Sequence, residues 1–211
     1  TGAIRVPRPL FDGKFHQQVY LVMEYLEKGN PAPNFWQNFG ESIAELHKHT
    51  QENFGLPFQN YIGRLHQPNN AHAKWCDFFK AERLIFLLEK ARNRNLLSPE
   101  EISLAEKICK KIDQLIPEEK PALLHGDLWK GNFIVQENGT AAVFDPATYY
   151  GHREMDIAMA QLFGGFDSQF FEAYHASFPL QPGWMDRMEI FQLYPLMAHL
   201  LLFGGPYHTQ V

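Results

Sequence analysis

The sequence predicts an α+β fold, a mainly helical lobe with a small sheet at one edge. Three observations point there. Apolar residues recur at helical spacing over most of the chain from Phe35 onward. Two short strand-forming runs, Phe133-Ile134-Val135 and Ala141-Ala142-Val143-Phe144, flank Asn138-Gly139, a strong hairpin signal. One further run, Val19-Tyr20-Leu21-Val22-Met23, reads as a buried strand near the start.

Taken in order, Ile4 to Leu10 carries two prolines and reads as extended, and Phe11-Asp12-Gly13-Lys14 reads as a turn. After the strand, Glu24 to Asn30 leads out through Gly29 and Pro31. Phe35, Trp36, Phe39, Ile43 and Leu46 share a helical face, and Trp75, Phe78, Phe79, Ile85 and Leu88 predict a second long helix. Ser98-Pro99-Glu100-Glu101 is a capping box with proline at the first helical position. The stripe behind it runs through Ile102, Ala105, Cys109, Ile112 and Leu115 or Ile116. Helical patterns then cover Met155 to Phe163, Phe170 to Phe178 and Trp184 to Phe203, where Pro195 predicts a kink or a split. No internal repeat or low-complexity segment breaks the pattern.

The bulk composition narrows the function classes. A chain of 211 residues holds one sizeable globular unit, or a domain with a small appendage. With 45% hydrophobic residues in short runs, a buried core is favoured over a membrane span. The net charge of −5 disfavours a nucleic-acid partner. The loose basic stretch from Arg83 to Arg94, interleaved with Glu89 and apolar residues, reads as a solvated helix face. Cys76 and Cys109 lie in helical patterns without metal spacing and read as buried reduced thiols. No signal peptide opens the chain, so a cytoplasmic protein is expected.

The chemistry concentrates in Leu124-His125-Gly126-Asp127-Leu128-Trp129-Lys130-Gly131-Asn132 and Phe144-Asp145-Pro146. Asn132 follows Asp127 by five residues, and Asp145 lies thirteen further on, beyond the predicted hairpin. Protein kinases carry the same order and spacing: catalytic Asp, then Asn, then a magnesium-binding Asp. A hydroxyl nucleophile needs an acceptor for its proton, which the Asp127 carboxylate offers. Magnesium is a hard cation and takes oxygen ligands, here the Asp145 carboxylate and the Asn132 amide oxygen. His125 is expected to hold the loop by hydrogen bonds, with Gly126 and Gly131 allowing tight turns. Singly, each of these residues reads as a turn former or a strand-end cap. Together they predict a protein-kinase-like fold with a helical catalytic lobe and a catalytic hairpin.

At these residues the chain resembles the fructosamine kinases, or ketosamine 3-kinases, within the aminoglycoside phosphotransferase and choline kinase-like group. The resemblance rests on the His125 to Asn132 signature, Asp145-Pro146-Ala147, Tyr150-Gly151-His152-Arg153-Glu154, Phe163-Gly164-Gly165-Phe166, Asn60-Tyr61-Ile62-Gly63 and Val22-Met23-Glu24-Tyr25-Leu26. It implies an ATP-dependent kinase, with Mg2+, acting on the 3-hydroxyl of small-molecule or protein-linked ketoamines such as fructosamines or ribulosamines. It implies a role in the repair of glycated amines; from charge and hydropathy, no nucleic-acid or membrane partner is expected. It also implies that Glu24, Tyr25 and Leu26 form the adenine hinge and that Trp129 sits by the acceptor sugar. Asp156 then corresponds to the structural Asp that hydrogen-bonds the catalytic loop, and it equally suits a first-turn helix acid. Trp129 equally suits a core aromatic.

The family pattern also holds a glycine-containing phosphate loop, an ATP-binding Lys and its Glu partner, none of which is found here; Lys14 has no such loop before it. Leu56-Pro57-Phe58-Gln59 is less polar than the pattern. Residues 1–28 are therefore expected to be a remnant of the nucleotide lobe plus hinge, forming little sheet of their own, and 29–211 the catalytic and substrate lobe. The 211 residues read as part of a longer protein. Two other readings stand beside ketoamine kinase: an aminoglycoside- or choline-type kinase, which would want clustered acceptor carboxylates, and a catalytically silent binding module, which would not need Asp127.

Overall fold

The computed structural model describes residues 1–209; Gln210 and Val211 lie outside the described residues. The chain begins with a β-hairpin, β1 (Pro9–Phe15) against β2 (Gln18–Met23), turning at His16 and Gln17. Three expectations fail here. Phe11 to Lys14 lie within β1 rather than in a turn, and the hairpin is a sheet of residues 1–28 themselves. Nor is β2 buried: Val19 is 79% exposed and Leu21 56%. The run is strand-forming because it is β-branched and aromatic, but a two-stranded ribbon offers no second layer to cover those side chains. The segment joins the rest through the Val143 amide to Arg5 carbonyl bond (3.0 Å) and through Glu137 to Glu27 and Gly29 to Val135.

From Phe35 the helical lobe begins. Helix α1 (Phe35–His47) buries Phe35, Phe39 and Ile43, as its stripe predicts. It is followed by the short hairpin β3 (Asn60–Ile62) with β4 (Leu65–Gln67), turning through Gly63 at φ +55°. A long helical rod follows, α2 (Trp75–Phe78), a π-helical stretch (Phe79–Ile85) and α3 (Phe86–Asn93). The wider π turn shifts the phase of the stripe. Ile85, expected inside, is exposed, whereas Arg83 and Leu84 are buried. The solvated face expected from Arg83 onward therefore fails at its first residue.

Helix α4 (Pro99–Leu115) starts at Ser98, whose side chain accepts from the Glu101 amide while Glu101 accepts from the Ser98 amide. Ile116 rather than Leu115 closes its apolar stripe. Strand β5 (Ala122–Leu124) pairs with β8 (Tyr149–Gly151), and between them β6 (Phe133–Val135) pairs with β7 (Ala141–Val143). The β6–β7 turn takes its left-handed residue at Gly139, φ +78°. Helices α5 (Glu154–Leu162), α6 (Ser168–Ser177) and α7 (Met188–Phe203) complete the lobe. Helix α6 lies so close to α1 that a Cβ on Gly40 would sit 2.3 Å from the Phe170 carbonyl oxygen. The expected helix from Trp184 instead opens with a 3-10 turn (Met185–Arg187), and Pro195 neither splits nor ends α7. Cys76 and Cys109 are free and buried.

Candidate active site

Strand β5 ends at Leu124 and delivers His125, Gly126 and Asp127 to the edge of the lobe, and the β6–β7 hairpin returns the chain so that Asp145 faces them. Asn132 is the link. Its Nδ2 donates to Asp127 Oδ2 at 2.8 Å and to the Asp127 carbonyl at 3.0 Å, and points to the Asp145 carbonyl at 3.4 Å. With the nitrogen so engaged, the Asn132 Oδ1 is the atom left to meet a cation. Asp145 itself is exposed and takes a left-handed backbone, φ +54°, a conformation non-glycine residues adopt at a cost.

The two loop glycines serve different purposes. Gly126 has φ +82°, and a Cβ on it would sit 2.1 Å from the Ala147 carbonyl oxygen. Gly131 leaves room for the indole, because a Cβ there would lie 2.3 Å from the Trp129 ring and displace it. The indole thus rests on its own loop, edge-on to Phe163 at 6.1 Å.

His125 spends both nitrogens on structure: Nε2 donates to the Phe144 carbonyl at 3.1 Å, and Nδ1 accepts from the Asp127 amide at 3.3 Å. Burial lowers its pKa, which keeps the ring neutral in that role. Asp156 is buried at the start of α5 and accepts from the His125 amide (2.7 Å) and the Gly126 amide (2.9 Å). It also accepts from His47 Nε2 (3.1 Å), whose Nδ1 takes the Tyr174 hydroxyl at 2.7 Å. Burial works against the Asp156 charge, but the His47 hydrogen bond and the Gly126 amide outweigh it and hold the carboxyl below its ordinary range. His47 and Tyr174 escaped the sequence reading because a helical His and Tyr far apart in the chain carry no local signal.

Two cavities meet at Asp145. One, of about 470 Å³, is walled by Asn60, Tyr61, Asp127, Trp129, Asp145 and His199 among others. The other, of about 460 Å³ and mainly apolar, runs from Asp145 and Phe144 to Leu21 and Met23. The expected hinge stands just beyond Met23. The Glu24 carboxylate is held by the Arg8 amide (3.1 Å) and by Arg5, Tyr25 is 84% exposed, and Leu26 is half-buried.

Elsewhere, Glu119, His152 and Glu154 offer three potential metal-ligand atoms within 4.8 Å of one another. The donor set fits an ion poorly. Arg153 takes both oxygens of Glu119 (2.9 and 2.8 Å) and Arg187 both of Glu154 (2.8 and 2.6 Å). Two carboxylates already neutralised by two forked guanidinium groups leave no charge to attract a cation. The cluster is an ion-pair network behind α5.

The family model described as fructosamine kinase matches residues 1–211. The chain belongs to the fructosamine kinase family. It is 40% identical over 211 residues to a probable ketoamine kinase of Synechocystis sp., covering all of this chain and 71% of that protein. A probable ketoamine kinase of Enterococcus faecium is likewise 40% identical, with 76% of its length covered. Among solved structures, a "putative fructosamine-3-kinase" from Thermobifida fusca superposes with a TM-score of 0.87 at 36% identity, over 97% of this chain and 70% of that one. An aminoglycoside phosphotransferase superposes at 0.63 with 15% identity, which speaks for the fold alone. The architecture is thus protein-kinase-like, and this fructosamine kinase family member is a phosphotransferase acting on a hydroxyl group.

Proposed function

We propose that the chain carries the catalytic and acceptor-binding lobe of an ATP- and Mg2+-dependent ketoamine kinase. It phosphorylates the sugar 3-hydroxyl of fructosamines or ribulosamines, free or protein-linked, in the repair of glycated amines in the cytoplasm. Residues 1–28 are the hinge end of the nucleotide lobe, with Glu24, Tyr25 and Leu26 at the adenine edge, and 29–211 the catalytic lobe. Among the described residues no helix is long and apolar enough to cross a membrane.

The observation that carries this reading is the cavity at Asp127. Among its described wall residues the only carboxylates are Asp127 and Asp145, while Trp129, Tyr61 and Phe203 supply aromatic faces. Aromatic faces suit a sugar ring. A polycationic aminoglycoside would call for more acid. In this reading Asp127 orients the acceptor hydroxyl and takes its proton, Asn132 keeps Asp127 in place, and Trp129 bounds the sugar. Asn132 Oδ1 and Asp145 are the hard oxygen donors that fit magnesium. When bound, the ion neutralises the phosphates.

The intact protein should consume ATP with fructose or ribulose amines and not with aminoglycosides or choline; turnover confined to the latter would overturn the assignment. The metal roles make a separate prediction. A divalent ion and a carboxylate a few ångströms apart attract by several kcal/mol at an effective dielectric constant of about 20, which a neutral amide does not match. Asp145→Ala should therefore raise the magnesium midpoint for nucleotide binding at least about tenfold more than Asn132→Ala does, roughly 1.4 kcal/mol. Equal titrations for Asp145→Ala and wild type would remove Asp145 as a ligand.

A further inference from the structure

Behind the wall of the acceptor cavity lies a buried cation that phosphoryl transfer does not use. Arg83, in the π-helical stretch, is 0% exposed. Its guanidinium lies over the Tyr149 ring at 4.0 Å and the Phe78 ring at 4.6 Å. Among the described residues its hydrogen bonds go to the Pro68 and Glu82 carbonyls and to Asn69 Oδ1 (2.8 Å), none of them a carboxylate. A buried charge paired only with neutral acceptors is expensive, which directs attention to what it organises.

From Arg83 a chain of amides runs toward the active site. Asn69 Nδ2 donates to Asn60 Oδ1 at 2.7 Å. Gln67 Nε2 donates to the same oxygen at 2.8 Å and to the Ala147 carbonyl at 3.0 Å, while Gln67 Oε1 accepts from the Tyr194 hydroxyl at 2.6 Å. Asn60 Nδ2 donates to the Thr148 carbonyl at 2.8 Å. The chain has a direction. A guanidinium can only donate, so Asn69 must turn its oxygen to Arg83 and its nitrogen to Asn60. Asn60 Oδ1 then takes two donors, and its nitrogen must go outward. The far ends are backbone carbonyls, which can only accept. No amide in the series can flip without setting donor against donor or acceptor against acceptor.

The two anchored carbonyls follow Asp145 by two and three residues, and that of Ala147 is the one against which Gly126 packs. At the other end, Asn60, Tyr61, Ile62 and Gly63 wall the acceptor cavity. We infer that Asn60, Gln67 and Asn69, polarised by Arg83, are positioning residues. They lock the β3–β4 wall to the segment after Asp145 and thereby set where the acceptor hydroxyl lies relative to Asp127. This rests on reading that cavity as the acceptor site.

The test is Asn69→Asp, with Asn60→Ala beside it, in the intact protein. The introduced carboxylate gives Arg83 a charged partner, so the fold should hold, but it can no longer donate to Asn60. The expected result is a melting temperature close to wild type, an unchanged KM for ATP, and kcat/KM for the acceptor lowered by about 10- to 100-fold, the scale of small misplacements at a reacting centre. Kinetics use whichever acceptor the wild-type enzyme phosphorylates, so a wild type inactive on ketoamines overturns the substrate assignment and leaves this test standing. Folded variants with wild-type acceptor kinetics would overturn the inference. So would parallel changes in the ATP and acceptor constants, or an Asn69→Asp protein that does not fold.

Discussion

Asp127→Asn should lower kcat by about 10²–10⁴-fold, the range for loss of a general base, and at the same time make the protein more stable. Burial pushes the Asp127 pKa up to about 6 from an ordinary 3.8; the Asn132 hydrogen bond opposes this, and the charges of Asp145 and Asp156 add to it. A carboxyl that holds its proton more tightly when folded contributes stability in acid. That contribution is complete below about pH 4 and is lost as pH rises through about 6. At pH 7 the ionised Asp127 therefore costs the fold on the order of 2–3 kcal/mol. Asparagine cannot ionise, and its oxygen still accepts from Asn132 Nδ2. In magnesium-free buffer the variant should melt several degrees above wild type at pH 7, with the gain shrinking toward pH 4. Retained turnover would remove Asp127 from the mechanism, and equal melting at pH 7 would refute the electrostatic argument.

The reverse is expected at Asp156, where charge supports the fold. Asp156→Ala strands the His125 and Gly126 amides and the His47 ring in a buried site. Breaking such a set should cost about 3–5 kcal/mol, a fall of roughly 10 °C in melting temperature for a chain of this size. Activity should fall further than stability explains, because the freed amides adjoin Asp127. A change under about 1 kcal/mol in denaturant unfolding would mean that the carboxylate does not hold the loop.

What was legible in the sequence is what is decided locally. The Ser98 capping box, the β6–β7 hairpin around Asn138-Gly139, the stripe of α1 and the spacing from Asp127 to Asp145 are each set by residues near one another in the chain, and each appears where expected. What escaped is set by partners that sequence does not bring together. His47 meets Asp156 across 109 positions, and Tyr194 meets Gln67 across 127. Arg83 reads as surface because its neighbours Lys90, Arg92 and Arg94 are basic, and the packing of Phe78, Tyr149 and Tyr194 against it decides otherwise. The run from Val19 to Met23 reads as buried because strand propensity and apolar character coincide there, although propensity says nothing of which layer covers a strand.

The π-helical stretch from Phe79 to Ile85 has a consequence for how this chain tolerates changes of length. A π turn takes up about one residue more than an α turn over the same rise. The rod from Trp75 to Asn93 thus carries a spare residue, absorbed between two α-helical flanks that both keep their apolar sides inward. Losing one residue from α3 would swing the remainder by about 100° and turn Ala91 out of the core. Losing one from the π stretch, at exposed Ala81 for example, lets the turn tighten to α while the flanks keep their facing. The casualty would be Arg83, moved off the rings that hold it. An insertion that the fold absorbs is thereby one the buried cation depends on.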